Sequence, residues 1–469
     1  MNKLIPLCGA MALAMAGTAV GEDFPLTLRT IPAKDVVSFP GNTGTYGLLK
    51  QSKPARLKKE PKAMSSKAFY AEGGDARTGL SFLARLDESK GDGKGYDRLI
   101  LDLNQNNDLT DDPVVERVVL PTTGQSEAVR QMLFGPIQAP ADKAVAGGRP
   151  VYYGQVYLFQ SLLRSTLLSL PATSSRTNQS VSSGQLMLRA GWYLDATVEL
   201  DGVKRKVGVL DGDSNLKLGD VPQPSIVTSG GNRSWSFRRG DSLLVDDDGS
   251  GSFENNAIQS EAVAFGPIFY LGAMAYKLSL VSDCKSLRVE PWTETLAEVA
   301  VRPRGDQVQS LTLAWGRPDD QWQLIRPGVA NGKVLVPPGD YRLSACSLVG
   351  KSGARDQVMV SGMQRTMQTP WTFSAGKANS LDCGAPLEIK VTATKTRTTS
   401  RVTLADNPGK QKAEPQPTVR ISARVAGAGG ETYSSYFKGE GFKSRPPKPT
   451  FTVADAKGKT LANGNLEYG

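Results

Sequence analysis

The chain contains no histidine among its 469 residues. Ser-His and Cys-His nucleophile pairs, as well as histidine-ligated zinc or non-haem iron, all require an imidazole. Most mechanisms of secreted hydrolases are therefore excluded. Catalysis would have to use carboxylate, Lys, Tyr or Ser-Lys chemistry, and a glycosidase needs only two carboxylates, about 5 to 9.5 Å apart. We expect a non-enzymatic protein.

Long apolar runs are scarce as well. After the stretch from Leu4 to Val20, nothing approaches the roughly 18 uninterrupted apolar residues of a membrane span. Lys3 precedes this stretch, and Ala19-Val20-Gly21 supplies the small residues that a signal peptidase reads. The sequence predicts a signal peptide over residues 1–21, no membrane span, and a secreted protein of the periplasm, cell surface or extracellular space.

Cysteine is rare, and the predicted mature chain keeps Cys284, Cys346 and Cys383. This is an odd number for a compartment in which disulfides form. Cys346 and Cys383 fall in one predicted domain, so we expect them to pair. Their disulfide would stabilise that domain by roughly 4 kcal/mol on the chain-entropy model. Cys284 lies in a predicted turn and is either free or bonded to another chain.

The formal net charge is +10 and the pI is near 9.3. A positive net charge favours anionic partners. Outside the cytoplasm these would be anionic envelope polysaccharide or another envelope protein rather than nucleic acid. The basic runs at 53–62 and 395–412 are rich in Pro, Thr or Ser and are interpreted as solvated loops or linkers. The acidic clusters are therefore islands in a basic chain, which suggests that a cation neutralises them.

Forty-nine Gly, 29 Pro and several alternating runs predict a mostly β, multidomain protein. The runs Trp192–Leu200 and Val203–Leu210 flank Asp201-Gly202 and predict a hairpin. We expect a β domain over 22–295, a β-sandwich over 296–406, a linker at 407–417, and a small, incomplete β-sandwich over 418–469.

An internal repeat is visible in the first predicted domain. The segments Leu99–Asp102, Ser126–Val129 and Phe134–Ile137 are echoed in the same order by Leu243–Asp246, Ser260–Val263 and Phe265–Ile268. The repeat predicts a duplicated β unit in which each copy carries an acidic loop.

Three apolar runs end in Asp, Asn and Ser at alternate positions, the spacing with which loops surround Ca²⁺. Calcium takes about six to eight oxygen ligands, from positions 1, 3 and 5, from the carbonyl of position 7, and from a later acid. The first loop offers Asp102, Asn104, Asn106, Asp108 and Asp112, with Asp111 as an alternative closing acid.

The middle loop offers Asp211, Asp213, Asn215 and Asp220. It is the weakest match, because Lys217 brings a positive charge to position 7. The third loop offers Asp246, Asp248, Ser250, Ser252 and Glu254, with Glu261 as an alternative closing acid. It is the closest match, because Gly251 stands at the turning position.

These loops resemble those of the EF-hand, dockerin and thrombospondin type 3 families, although their flanks are strand-like. Position 12 also departs from the EF-hand, with Pro113, Pro222 and Ala257 in place of Glu. The resemblance implies Ca²⁺ as a cofactor, bound with the affinity of extracellular modules, roughly 10⁻⁴ to 10⁻³ M. The alternative is that the loops are ordinary hairpin turns, which favour the same residues.

The segment Val334–Leu343 reads as strand, Pro-Gly turn and strand. It resembles the carboxypeptidase-regulatory-like or transthyretin-like β-sandwich family. The resemblance implies accessory immunoglobulin-like or transthyretin-like sandwiches that serve spacing or adhesion rather than chemistry.

Together these features predict a secreted, non-enzymatic, calcium-binding structural or adhesive protein of the cell envelope. The alternative is a polysaccharide-binding module or a carboxylate-based glycoside hydrolase. A cleft with two facing carboxylates outside the loops, or a row of exposed Trp, would favour the alternative. The tryptophans are Trp192, Trp235, Trp292, Trp315, Trp322 and Trp371. Their commoner use is core packing. The Arg239-Gly240-Asp241 triplet spells an integrin-binding tripeptide, which we attribute to chance.

Overall fold

In a computed structural model of the chain, nearly every regular element is a β-strand. The prediction of a mostly β, multidomain fold is thus confirmed. The structure describes residues 21–65, 68–75, 80–91, 95–119, 129–159, 184–200, 202–229, 232–237, 240–254, 260–281, 283–303, 307–316, 321–352, 356–363, 370–397, 417–438, 444–445 and 447–465. The predicted signal peptide, apart from Gly21, lies outside this range.

The first strands are β1 (Glu22–Pro25), β2 (Thr27–Thr30), β3 (Thr45–Lys50), β4 (Phe69–Asp75), β5 (Leu80–Asp87), β6 (Arg98–Asp102), β7 (Val114–Val118), β8 (Val129–Gln138), β9 (Val151–Phe159) and β10 (Gly184–Ala190). A short 3₁₀ helix, Ala141–Lys143, lies between β8 and β9. Next come β11 (Trp192–Leu200), β12 (Val203–Leu210), β13 (Pro224–Ser229), β14 (Asn232–Phe237), β15 (Ser242–Val245), β16 (Ala262–Ala264), β17 (Ile268–Leu271), β18 (Met274–Val281) and β19 (Ser286–Pro291).

The remaining strands are β20 (Ala297–Pro303), β21 (Val308–Gly316), β22 (Trp322–Ile325), β23 (Lys333–Val336), β24 (Gly339–Ser352), β25 (Asp356–Met363), β26 (Trp371–Phe373), β27 (Asn379–Cys383), β28 (Glu388–Arg397), β29 (Pro417–Ala426), β30 (Thr432–Lys438), β31 (Thr450–Ala454) and β32 (Thr460–Asn465). Within the described ranges, no helix is long and apolar enough to cross a membrane.

The first unit combines a closed barrel with two open sheets. Strands β3 to β10 form the barrel, in the order β10-β3-β4-β5-β6-β7-β8-β9. The open sheets have the orders β1-β19-β18-β17 and β16-β15-β12-β11-β2. One hydrophobic core joins all three, and it includes Phe82 in the barrel and Leu194 and Leu278 in the open sheets. The predicted hairpin is confirmed, because β11 and β12 are antiparallel partners with the predicted bounds.

The second unit is a sandwich. Its smaller sheet has the order β23-β20-β27, and its larger sheet runs β22-β21-β24-β25-β30-β29-β28, with β26 paired to β24. A second core lies between them and includes Val299 and Leu311. The larger sheet crosses the predicted linker at 407–417, because β28 pairs with β29 and β25 pairs with β30. Residues 398–416 lie outside the described part, and β31 pairs with β32 as a separate hairpin.

The sheet β1-β19-β18-β17 contributes to both cores. Phe269 belongs to the first core, whereas its neighbours Ile268 and Tyr270 belong to the second. Successive side chains of a strand point to opposite faces. This sheet is therefore a common wall between the two units.

The two repeat copies occupy different settings. Leu99–Asp102 lies in β6 of the barrel, and Leu243–Asp246 covers the end of β15 in an open sheet. In each copy the strand leads directly into an acidic loop. Residues 126–128 of the first copy lie outside the described part. The two acidic loops thus follow strands as predicted, although the sheets that carry them differ.

Candidate metal centre

The three acidic loops adopt one backbone conformation. Counted from the first Asp, the fourth and sixth residues have positive φ, a left-handed conformation that residues other than Gly rarely adopt. The angles are 60° at Gln105 and 65° at Asn107, 57° at Ser214 and 68° at Leu216, and 75° at Gly249 and 80° at Gly251. Calcium loops place Gly at the sixth position for this turn. Three different sequences therefore form the same loop shape.

The first Asp of each loop is held by backbone N–H groups of the fifth or sixth residue. Asn106 and Asn107 donate to Asp102 at 3.2 and 3.0 Å, Asn215 and Leu216 donate to Asp211 at 2.9 and 3.0 Å, and Gly251 donates to Asp246 at 3.0 Å. The fifth side chain accepts the N–H of the seventh residue, with Asn106, Asn215 and Ser250 as acceptors at 2.7, 2.9 and 3.3 Å. The loop backbone thus fixes the oxygens at positions 1 and 5.

An acid on the neighbouring antiparallel strand closes the middle loop. Leu210 at the end of β12 pairs with Ser242 at the start of β15. The next pair in the same register is Asp211 with Asp241. Asp241 is not among the residues that the sequence predicts as ligands, because strand register over this separation is not visible in a single sequence. The available signal was an Asp directly before an apolar strand, in the Arg-Gly-Asp triplet attributed to chance.

The other two loops also have an acid close to their first Asp. The register of β6 and β7 places Asp112 opposite Asp102. In the third loop Glu261 directly precedes β16 and lies beside Val245, whose N–H donates to the Glu261 carbonyl at 2.8 Å. Val245 is the residue before Asp246. The closing acids of the middle and third loops therefore arrive from a neighbouring strand, whereas Asp112 belongs to the first loop itself.

The middle loop holds the most buried cluster of carboxylates. Asp211, Asp213 and Asp241 each bring an oxygen within 4.8 Å of the others. Their exposed fractions are 0%, 5% and 1%. Burial raises the pKa of Asp211 to about 8, with Coulomb repulsion from Asp213 as the second cause. Burial and then repulsion from Asp211 raise the pKa of Asp241 well above its usual value.

One oxygen of Asp241 has no hydrogen bond within the described part of the chain. Oδ2 accepts the N–H groups of Gly219 and Asp220 at 2.6 and 2.8 Å. Oδ1 is buried without a partner. Buried polar atoms are almost always satisfied, and an exception calls for a reason such as an ion. Because Asp241 belongs to the cluster, its free oxygen is suited to a cation there.

The remaining predicted residues of the middle loop complete this neighbourhood. Asn215 is buried and donates through Nδ2 to Asp220 Oδ2. Tyr152, from strand β9, donates its hydroxyl to Asp211 Oδ2 at 2.7 Å. The side chain of Lys217 is exposed. The loop that the sequence ranks weakest therefore has the most buried acids of the three, while the charge of Lys217 stays in solvent.

The third loop brings Asp246, Asp248 and Glu261 within 4.8 Å of one another. Asp246 and Glu261 are buried, whereas Asp248 is exposed. The Glu261 carboxylate accepts the N–H groups of Asp247 at 3.0 Å and Glu254 at 2.7 Å. Oδ1 of Asp246 is buried without a hydrogen bond to any residue that the structure describes. Glu261, the alternative closing acid, thus supplies the third carboxylate of the cluster, and the backbone N–H of Glu254 donates to it.

The predicted serines of the third loop lie on its exposed rim. Ser250 and Ser252 bring their hydroxyl oxygens to 3.1 Å from one another. The Ser250 N–H donates to Asp248 at 2.9 Å. This bond is the main cause that lowers the pKa of Asp248. Asp248 is thus ionised over a wide pH range and available to a cation.

The first loop gathers its acids at the surface. Asn104 and Asn106 both donate through Nδ2 to Asp111, at 3.4 and 2.7 Å. Asp108 forms an ion pair with Lys59 at 2.9 Å. Burial, followed by repulsion from Asp102, raises the pKa of Asp112 to about 7. Asp112 Oδ2 is also buried without a partner in the described ranges. The loop is thus preorganised, but less buried than the middle one.

All of these ligand atoms are oxygens of carboxylates, amides, hydroxyls and carbonyls. Hard cations such as Ca²⁺ and Mg²⁺ prefer such atoms, whereas zinc prefers nitrogen and sulfur. The arrangement supports cation binding. Comparisons with protein-family models, with curated proteins and with solved structures found no match to this chain.

Proposed function

We propose that this chain is an exported, non-enzymatic structural or adhesive protein whose acidic loops bind Ca²⁺. The observation that carries the proposal is the buried cluster of Asp211, Asp213 and Asp241. Burying ionised carboxylates is costly unless they are paired or coordinate a metal. A divalent cation would remove both the repulsion and the unsatisfied oxygen of Asp241.

The ligand set favours Ca²⁺ over Mg²⁺. Calcium accepts six to eight oxygens in flexible geometry, and Asp residues, amides and carbonyls on one turn match that requirement. Magnesium demands a near-ideal octahedron and keeps several waters, so it is rarely held by an all-protein cage. Millimolar calcium outside cells would fill sites of even modest affinity, which fits the predicted export.

The middle site would act as a structural element. Tyr152 reaches Asp211 from the barrel, and Thr43 Oγ1 donates to the Gly212 carbonyl at 2.7 Å. A cation bound at Asp211 would therefore join the barrel to the open sheet that carries β12. An ion that binds only the folded state adds about 2.7 kcal/mol of stability at a concentration 100 times its Kd.

The third site would act where the two units meet. Arg326, which follows β22 of the sandwich, pairs with Asp247 at 3.0 Å. Asp247 stands between the candidate ligands Asp246 and Asp248. Calcium in this loop would fix the carboxylate that Arg326 contacts. The contact between the two units supports a spacing or adhesive role, and the positive net charge supports an anionic envelope partner.

Calorimetric titration with CaCl₂ and with MgCl₂ tests the proposal, with Asp213→Asn beside the unmodified protein. We expect calcium binding and an increase in thermal stability, both weakened in the variant. Asp142→Asn is the matched control, because Asp142 is exposed and forms an ion pair with the neighbouring Lys143, away from the three loops. No heat and no change in the unfolding midpoint at millimolar calcium would overturn the proposal and leave three ordinary turns.

A further inference from the structure

A groove of about 580 Å³ lies outside the three loops, where the common wall meets the sandwich. The residues that matter here are Lys277, Arg288, Glu290, Trp292, Glu294 and Trp315. Small-molecule sites have volumes of about 300–1,000 Å³ and occur preferentially at domain interfaces. The groove therefore has the size and position of a ligand site.

Two tryptophans form the aromatic part of the groove. The rings of Trp292 and Trp315 meet edge to face, with centroids 6.3 Å apart and planes at 80°. The backbone N–H of Trp292 donates to the Ala275 carbonyl at 3.0 Å, which anchors the residue to β18. Trp315 is only 6% exposed and belongs to the second core. Both rings are thus held in place before a ligand arrives.

The charged groups around these rings are balanced. Lys277 pairs with Glu294 at 3.0 Å, and its Nζ lies 5.1 Å from the centroid of the Trp292 ring. Arg288 pairs with Asp23 through two bonds of 2.6 and 2.8 Å. Glu290 adds a further carboxylate to the lining. The groove consequently has no excess of cations, in contrast to the chain as a whole.

We infer that this groove binds a neutral saccharide. The apolar C–H face of a sugar ring can bury against an indole, while its hydroxyls both donate and accept hydrogen bonds. Glu290 and Glu294 would accept from hydroxyls, and Lys277 and Arg288 would donate to them. An anionic sugar would face the carboxylates and compete for cations that are already paired. This inference goes beyond the proposed function, because it involves none of the calcium ligands.

The test is a titration of the full chain followed by tryptophan fluorescence and calorimetry, at constant millimolar calcium. The probes are cellotetraose, chitotetraose, maltotetraose and the acidic tetragalacturonate. We expect at least one neutral probe to bind and to change the fluorescence. Absence of binding by all four probes would overturn the inference. Binding of tetragalacturonate alone, abolished by salt, would overturn it as well and favour a simple charge attraction.

Variants locate the binding. Trp292→Ala should weaken binding about tenfold, the effect of losing one anchor residue, and Trp292→Phe should recover part of it. Glu294→Gln gives an independent test if Trp292→Ala folds poorly, since Glu294 is 62% exposed. Glu199→Gln is the matched control, because Glu199 is 56% exposed and pairs with Lys204 in another sheet. Unchanged binding in both Trp292→Ala and Glu294→Gln would place the saccharide elsewhere and refute the assignment.

Discussion

Asp211 and Asp241 lie opposite each other in the register of two antiparallel strands, and both are buried. Burial is the main cause that raises the pKa of both carboxyls, and Coulomb repulsion adds to it, from Asp213 on Asp211 and from Asp211 on Asp241. Without a cation this pair opposes folding. With a cation it becomes a ligand pair. The sign of its contribution to stability therefore depends on metal.

Asp241→Asn tests this dependence directly. In chelator at neutral pH the variant should be more stable than the original protein, because the amide avoids the free-energy cost of burying or protonating this carboxyl, up to about 1.4 kcal/mol for each unit by which its pKa is raised. In calcium the order should reverse, because a ligand is lost. Urea unfolding in both conditions gives the two free energies of unfolding. Asp142→Asn should shift neither value, and a loss of stability by Asp241→Asn in chelator as well would contradict the prediction.

The chelated protein should lose stability as pH rises. The pKa of Asp211 is raised from its usual 3.8 to about 8, so between these values the folded state binds more protons than the unfolded state. Stability therefore falls with increasing pH, by at most about 1.4 kcal/mol per unit for each such carboxyl. Urea midpoints from about pH 5 to about pH 8, with and without calcium, measure this slope.

Calcium should flatten the slope, because the ion compensates the carboxylate charge that burial otherwise disfavours. The stabilisation that calcium confers should accordingly increase over the same pH interval. A chelated protein whose stability is constant or rises with pH would show that these acids are not buried together.

Arg326→Ala should weaken the connection between the two units. The guanidinium donates to Asp247 at 3.0 Å and to the Ser260 carbonyl, and its side chain is 15% exposed. Loss of hydrogen bonds that involve charged groups costs about 1.5–3 kcal/mol. We expect a lower midpoint in calorimetry and a smaller effect of calcium. Arg302→Ala removes an exposed pair with Asp382 and should change the midpoint much less.

Cys346 and Cys383 should form a disulfide under oxidising conditions. Their Sγ atoms are 4.0 Å apart, and both residues are buried thiols in this structure. They lie on β24 and β27, so the bond would join the two sheets of the sandwich. Stability should increase by about 4 kcal/mol. A thiol assay on denatured, oxidised protein should find Cys284 alone reactive among these three; three reactive thiols would refute the pairing.

The parts of the fold that follow local rules could be predicted from the sequence. Strands β11 and β12 coincide with the predicted hairpin, because alternation and an Asp-Gly turn specify it locally. The first Asp of each loop could also be predicted, because it follows an apolar run and begins a local series of Asp, Asn and Ser at alternate positions. Asp241 could not be predicted, since its position depends on the register between β12 and β15. The sequence also could not show that the side chain of Lys217 is exposed although the acids of its loop are buried. The pairing of β25 with β30 across a Pro-rich segment could not be predicted either, because it is a long-range contact.

The common wall between the two cores limits how this protein could be divided or recombined. A chain cut at the predicted boundary after residue 295 would remove Ile268, Tyr270 and Ala275 from the second core, leaving the sandwich with an uncovered apolar surface. The first unit would in turn expose the outer face of β17. The two parts are therefore poor candidates for exchange as separate modules.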